Sequence, residues 1–292
     1  MVRETLLAYR QWSGLGDWIM AMTVLKMVNQ QYPEIDITLN LVARNKFSDS
    51  CQPDYLPSVV EEVARGFDVK IKDFTYYIVP QRASLEYTYS SGYMTYSKDG
   101  NNFIENMVKK FNHDSGLELE YDPKVYAQYI DGDTFDNSFE QFKPYVLIQS
   151  CSKRGCDKRE GKDFGYLNME RIAKRLMKSG ITVLQIGQNT DFTIPNVPSF
   201  LSIDLNTIHK LMINSMGFIG MDGGLGVFAS HHGVDQYIIY EDDVRYSWTK
   251  FPHRYQLSGD IGWVAISNYI ISELRGHKEY EKSIRENYSQ VG

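Results

Sequence analysis

The chain has 292 residues, 42% of them hydrophobic, and a formal net charge of −6; that is long for one compact α/β domain and suits two of roughly 100–150 residues. The first 140 residues carry 13 Lys/Arg against 21 Asp/Glu, so this half does not advertise a polyanionic partner. Cys51, Cys151 and Cys156 form neither an even disulfide framework nor a zinc spacing, and no apolar run approaches the roughly 18–20 residues that cross a bilayer. With no signal-peptide core at the start, a cytoplasmic protein with reduced thiols is expected. Residues 5–9 (TLLAY) read as a strand. The glycine-bearing stretch Ser13-Gly14-Leu15-Gly16-Asp17 follows. From Trp18, apolar residues recur at Met22, Leu25 and Val28 with the period of a helix face. Residues 35–43 (IDITLNLVA) read as a second strand, which completes a β-loop-α-β unit.

The periodicity then predicts a helix over 57–65, strands over 69–72 and 76–79, and a helix over 103–111. Residues 87–102 mix tyrosine with Ser, Gly and Asn, a composition suited to a surface loop that either contacts a ligand or packs on its own domain. An acidic, turn-rich stretch over 122–136 leads to Pro144, which interrupts helix and marks the start of the next strand.

The second half is more regular. A strand over 145–149 (YVLIQ) opens into a polar loop over 150–165. An amphipathic helix over 167–179 ends at Gly180, the expected left-handed C-terminal stop. Strands are predicted at 181–186, 218–219 and 236–240, and helices over 206–215 and from about Leu225. A last amphipathic helix covers 261–274, followed by a charged, loose tail. Strands alternating with helices of this length predict doubly wound parallel sheets in both halves. The expected organisation is a first Rossmann-like domain over 1–142, a second over 143–258, and a C-terminal helix and tail over 259–292. Ligands of such sheets bind at the carboxyl ends of the strands, so a cleft between the two domains is the expected site.

Three stretches carry chemistry. In the first, Asp17 stands where a dinucleotide fold wants bare backbone, and Ile19 occupies the third glycine position, so the G-x-G-x-x-G fingerprint fails. What remains is a glycine-shaped loop (Ser13, Gly14, Gly16) with an acid at its mouth, which serves either as a general base or as an N-cap for the helix from Trp18. The second is Gly220-Met221-Asp222-Gly223-Gly224-Leu225-Gly226 between a short strand and a helix. Gly223 and Gly224 can present backbone N–H groups and a helix N-terminus to an anion, or can simply make a tight βα turn with φ > 0. The third is the loop after residue 149, with Lys153, Arg154, Lys158, Arg159 and Lys162. Five cations at a strand's carboxyl end can neutralise a departing pyrophosphate, or form a solvated charged loop. His231 and His232 are adjacent in a predicted helix and point about 100° apart, so they do not chelate one ion.

These residues resemble a known family. Ser-Gly-Leu-Gly-Asp17 with its helix WIMAMTVLKMVNQQYP resembles the opening of the heptosyltransferase-like enzymes of glycosyltransferase family nine. Lys162-Asp163-Phe164 is similar to the family's Lys-x-aromatic entry to the helix after the first C-domain strand. Asp222-Gly223-Gly224 followed by VFASHHGV is similar to its glycine turn and Ala-rich helix. The resemblance implies the GT-B fold, two Rossmann-like doubly wound α/β domains facing across a cleft, with 1–142 binding the acceptor, 143–258 binding the nucleotide sugar, and the helix of 259–292 packing back on the first domain. It further implies inverting, metal-independent transfer of a sugar from a nucleotide-diphosphate donor to an acceptor hydroxyl. Asp17 would deprotonate the acceptor, Lys162 would meet the donor phosphates, and Asp222, Gly223 and Gly224 would hold the donor, with Lys153 and Arg154 contributing charge. Asp191 would lie near the donor sugar or ribose. The acceptor implied is a glycan or lipopolysaccharide-type molecule. A composition rich in Tyr, Asn, Asp and Lys also fits a bacteriophage enzyme that adds a sugar to hydroxymethylcytosine in DNA, against which the acidic first half stands. A non-catalytic nucleotide-sugar-binding module and a GT-B-type sugar epimerase are the readings from other classes.

Overall fold

A computed structural model of the chain describes residues 5–11, 15–44, 55–79, 103–122, 139–150, 164–240 and 253–289. The chain divides into two compact units, residues 1–133 with 248–251 and residues 134–247 with 252–292.

In the first unit, β1 (Thr5–Gln11), β2 (Asp36–Arg44) and β3 (Asp73–Val79) form a parallel sheet in the order β1-β2-β3. Its register sets Thr5 beside Asp36 and Thr38 beside Asp73. The helices are α1 (Leu15–Gln31), α2 (Tyr55–Gly66) and α3 (Phe103–Ser115). Helix α1 is not the one-sided amphipathic helix expected: Trp18, Ile19, Met20, Met22, Val24, Leu25, Met27 and Val28 are all buried, as befits a helix covered on several faces. Three side-chain amides tie this unit's connections to its helices. Gln31 donates to the carbonyl of Glu120 and accepts from its N–H, both at 2.8 Å. Asn112 clasps Leu119 in the same way at 2.8 and 2.9 Å, and Asn29 accepts from the Lys70 N–H at 2.9 Å. Residues 69–72 are therefore a pinned connection rather than the separate strand expected.

The second unit holds a six-stranded parallel sheet in the order β6-β5-β4-β7-β8-β9. Its strands are β4 (Tyr145–Ile148), β5 (Thr182–Gly187), β6 (Ser199–Leu201), β7 (Phe218–Gly220), β8 (Gln236–Tyr240) and β9 (Arg254–Ser258). Strands β6 and β9 escaped the sequence reading. The helices are α4 (Tyr166–Lys178), α5 (Leu205–Ile213), α6 (Gly224–His231) and α7 (Gly262–Ser289). Gly180 does stop α4: at φ +80 it lets its own N–H reach the Met177 carbonyl at 3.0 Å and the Ile181 N–H reach Leu176 at 3.1 Å, the paired bonds of a Schellman end. Asp204 caps α5 by accepting from the Thr207 N–H at 2.8 Å.

Alternation along the strands sorts the two faces. Val146, Ile148, Val183, Ile219, Tyr237 and Ile239 pack with Met169, Ile172 and Leu176 of α4 and Ile266, Ile270 and Leu274 of α7. On the other face, the Tyr145 hydroxyl donates to the Leu211 carbonyl of α5 at 3.0 Å, and the Gln236 amide of β8 donates to the Ser230 hydroxyl of α6. Helices on both faces of a parallel sheet make the unit doubly wound. The first turns of α7 thus belong to the core of the second unit, and α7 runs on to Ser289 through the charged stretch expected to be loose.

Candidate functional site

From β4 the chain moves outward through β5 and β6, then returns to lay β7 against the other side of β4. The order reverses between β4 and β7, where Ile148 pairs with Ile219 and the Gln149 N–H donates to the Ile219 carbonyl at 2.8 Å. In an open α/β sheet this switch point leaves a crevice beyond the carboxyl ends of the strands, because the two loops there depart to opposite faces. One of those loops begins at Gln149 and carries the cationic sequence. The other is Met221-Asp222-Gly223, which leads into α6.

Of the sequence-derived candidates, Asp222, Gly223 and Gly224 come together here. Gly223 precedes the first turn of α6 with an extended backbone, φ −178, so the φ > 0 explanation for this glycine does not hold. Among the described residues, a Cβ at Gly223 would meet nothing closer than the Met221 carbonyl at 3.9 Å. Two other glycines are required by packing. At Gly220 a Cβ would lie 2.6 Å from the Phe218 ring, and at Gly226 it would lie 3.0 Å from Ile238 Cδ1 and 3.3 Å from Arg254 Nη2.

Asp222 is held by a residue the sequence reading passed over. Arg254, at the start of β9, donates from Nη1 to Asp222 Oδ1 at 3.1 Å and from Nε to Gln236 Oε1 at 3.1 Å. Its Nη1 also lies 3.4 Å from the Tyr240 hydroxyl. The Arg254 side chain is 1% exposed, whereas Asp222 retains 17%. The one available signal was Gln236, a polar residue opening an otherwise apolar strand.

Asp191 lies in the turn after β5 and is 2% exposed. Its Oδ2 accepts from the Gln188 N–H at 3.1 Å. Burial pushes its carboxyl above the usual range, partly offset by the Gln188 N–H and the nearby Gln149 side chain. A Cβ at Gly187 would fall 2.2 Å from Asp191 Oδ2, so glycine is needed for the carboxylate to close over the strand end. Beside it, the fully buried Gln185 donates to the Phe192 carbonyl at 2.6 Å and the Ser150 hydroxyl at 3.0 Å, and accepts from the Ile194 N–H at 2.8 Å.

In the first unit, α1 begins at Leu15, earlier than expected. Gly16 is buried, and Asp17 is the third helical residue rather than an N-cap. Ser13, Gly14, Lys153, Arg154 and Lys162 lie outside the described residues, as do the three cysteines and the tyrosine-rich stretch. His231 and His232 serve packing. His231 Nδ1 lies 2.9 Å from the Val227 carbonyl, and the His232 ring sits 4.5 Å from those of His209 and Phe228. Among the described residues no group of three His, Cys, Asp or Glu is arranged to hold a metal ion, and no helix is long and apolar enough to cross a membrane.

Each of the two units is built on a parallel sheet, which makes this an α/β protein. The particular likeness follows from solved structures. The E. coli heptosyltransferase WaaC with ADP aligns over 92% of this chain and 99% of its own, with a TM-score of 0.52 at 10% identity. The E. coli ADP-heptose lipopolysaccharide heptosyltransferase II aligns over 96% and 99%, with a TM-score of 0.53 at 13% identity. A family 9 glycosyl transferase from Veillonella parvula DSM 2008 aligns over 94% and 99%, with a TM-score of 0.55 at 11% identity. The fold is the one these glycosyltransferases share, as the sequence resemblance implied. The sequence matches no protein-family model and no curated protein.

Proposed function

We propose that this chain is an inverting glycosyltransferase that moves a sugar from a nucleotide-diphosphate donor to an acceptor hydroxyl without a metal ion. The observation that carries the reading is the glycine turn at the sheet's switch point. Asp222-Gly223-Gly224 there feeds the N-terminus of α6, in a fold shared with heptosyltransferases over nearly the whole chain. The amides of that turn and the helix end favour a diphosphate. Lys153, Arg154 and Lys162, in the sequence that follows β4, supply the positive charge that a departing nucleoside diphosphate needs. Asp222 follows β7 and Asp191 follows β5, on either side of β4 in the sheet, where they order the turns around the donor.

Asp17, in the first turn of α1, is the base. Its carboxylate takes the acceptor hydroxyl proton as the oxygen attacks the anomeric carbon from the face opposite the diphosphate. The new C–O bond forms while the bond to the diphosphate oxygen breaks, and the configuration inverts. A carboxylate in this role depends on positioning against the acceptor hydroxyl. The acceptor class proposed is a glycan or lipopolysaccharide-type hydroxyl. Asp17→Asn tests the scheme: release of nucleoside diphosphate in the presence of acceptor should stop while donor binding persists. Turnover at the parent rate would remove Asp17 from the mechanism.

A further inference from the structure

The course of the Arg254 side chain is unusual for a surface-rich α/β unit. Arg254 pairs in register with Gln236, at the amino end of β8, whereas Asp222 stands past the carboxyl end of β7. To join them the side chain runs along the sheet, on the face that carries Gln236, Ile238 and Tyr240, and passes beneath α6. Gly226 makes room for it, because a Cβ there would press on Arg254 Nη2 at 3.3 Å, and Gln236 fixes its Nε along the way. A guanidinium 1% exposed costs several kcal/mol to desolvate unless its partners are well placed. A methionine or leucine would fill the same channel at lower cost. Among its described partners, the charged one is the carboxylate of Asp222, the residue preceding Gly223.

We propose that Arg254 is a positioning residue for the donor turn. It clamps Asp222 from beneath and so holds the Gly223 and Gly224 amides in the arrangement that receives the diphosphate. Arg254 itself touches no substrate. This inference rests on the donor-site reading given above. Without the clamp, nothing described anchors the turn between Gly220 and the first hydrogen bond of α6, from the Val227 N–H to the Gly223 carbonyl at 3.1 Å. The turn then samples other conformations, and the ligand bears the cost of ordering it.

The test compares the parent chain with Arg254→Met and Arg254→Lys, titrating UDP, ADP, GDP and CDP by calorimetry well below each variant's melting temperature. Hydrogen exchange is followed in parallel over residues 220–226 and 236–240. Arg254→Met should weaken the nucleotide that the parent binds by about tenfold, the equivalent of about 1.4 kcal/mol. Arg254→Lys, which keeps the charge and loses the fork, should fall between. Exchange should rise at 220–226 while 236–240 stays protected, a local effect that general destabilisation would not produce. Should Arg254→Met fail to fold, Gly226→Ala displaces the same guanidinium and should also weaken binding. If the parent binds no nucleotide, the donor-site reading itself falls. If the parent binds and Arg254→Met binds within twofold with unchanged exchange at 220–226, the positioning role is overturned.

Discussion

Replacing Gln185 by Leu probes whether the turns around the candidate donor site are held by one buried amide. Leucine is close to glutamine in volume, so the cavity penalty is small and the cost is polar. Four bonds are lost: to the Phe192 carbonyl at 2.6 Å, the Ser150 hydroxyl at 3.0 Å, the Ile194 N–H at 2.8 Å and the Ser199 hydroxyl at 3.2 Å. Three of these partners, Ser150, the Phe192 carbonyl and Ser199, keep another bond. Ser150 still donates to Phe192, and Ser199 still reaches the Val197 carbonyl at 3.2 Å. The buried Ile194 N–H loses its acceptor, which costs roughly 1–3 kcal/mol, and the remaining net losses bring the total to about 3 kcal/mol. For a unit of this size that corresponds to about 6–12 °C in melting temperature. Gln185→Glu should cost at least as much, since it buries a charge and removes the donor. Urea titrations of both variants measure the loss directly. A cost below about 1 kcal/mol for Gln185→Leu at unchanged m-value would refute the claim that this amide organises the β5–β6 connection.

Three further expectations concern pH and backbone. Burial raises the Asp191 carboxyl in the folded state, so the fold holds that proton more tightly than the unfolded chain does. Stability is then favoured below the carboxylate range and declines as pH rises through it. Asp191→Asn should be more stable than the parent at pH 8, with the gap closing toward pH 4; denaturant midpoints giving the reverse order at pH 8 would contradict the assignment. Burial lowers His231 to about 4 from 6.5. Its neutral form is required in the fold, so about 3 kcal/mol should be lost as pH falls from about 6.5 to 4. The His231→Phe profile should be flatter over that window, and equal slopes would disprove the burial argument. Gly180→Ala places a side chain at φ +80 in the Schellman end of α4 and should cost about 1 kcal/mol in a melting experiment; a neutral result would mean that the turn relaxes.

Much of the second unit was legible because its signals are local. The Gly180 stop, the run 236–240 and the apolar spacing of Ile172 and Leu176 each specify an element without reference to distant residues. Strands β6 and β9 were not, since SFL and RYQLS are short edge-side segments whose strand character comes from pairing with β5 and β8. The expected strand at 69–72 failed because Asn29, about forty residues away, claims the Lys70 N–H. The N-cap alternative for Asp17 fails because the apolar period begins at Trp18, whereas the helix starts three residues earlier, at Leu15. At the candidate site, the glycine turn could be read from spacing alone. Arg254 could not, because its role depends on β9 lying beside β8, and that adjacency is a property of the sheet.

The central claim, that the switch point between β4 and β7 receives a nucleotide diphosphate, is tested most directly by thermal stabilisation of the purified chain. The panel is nucleoside diphosphates and nucleotide sugars across the common bases. One of them, at a hundredfold over its Kd, should add about 2.7 kcal/mol to stability and raise the melting temperature accordingly. Absence of stabilisation by every member of the panel would contradict the donor site and the glycosyltransferase reading built on it.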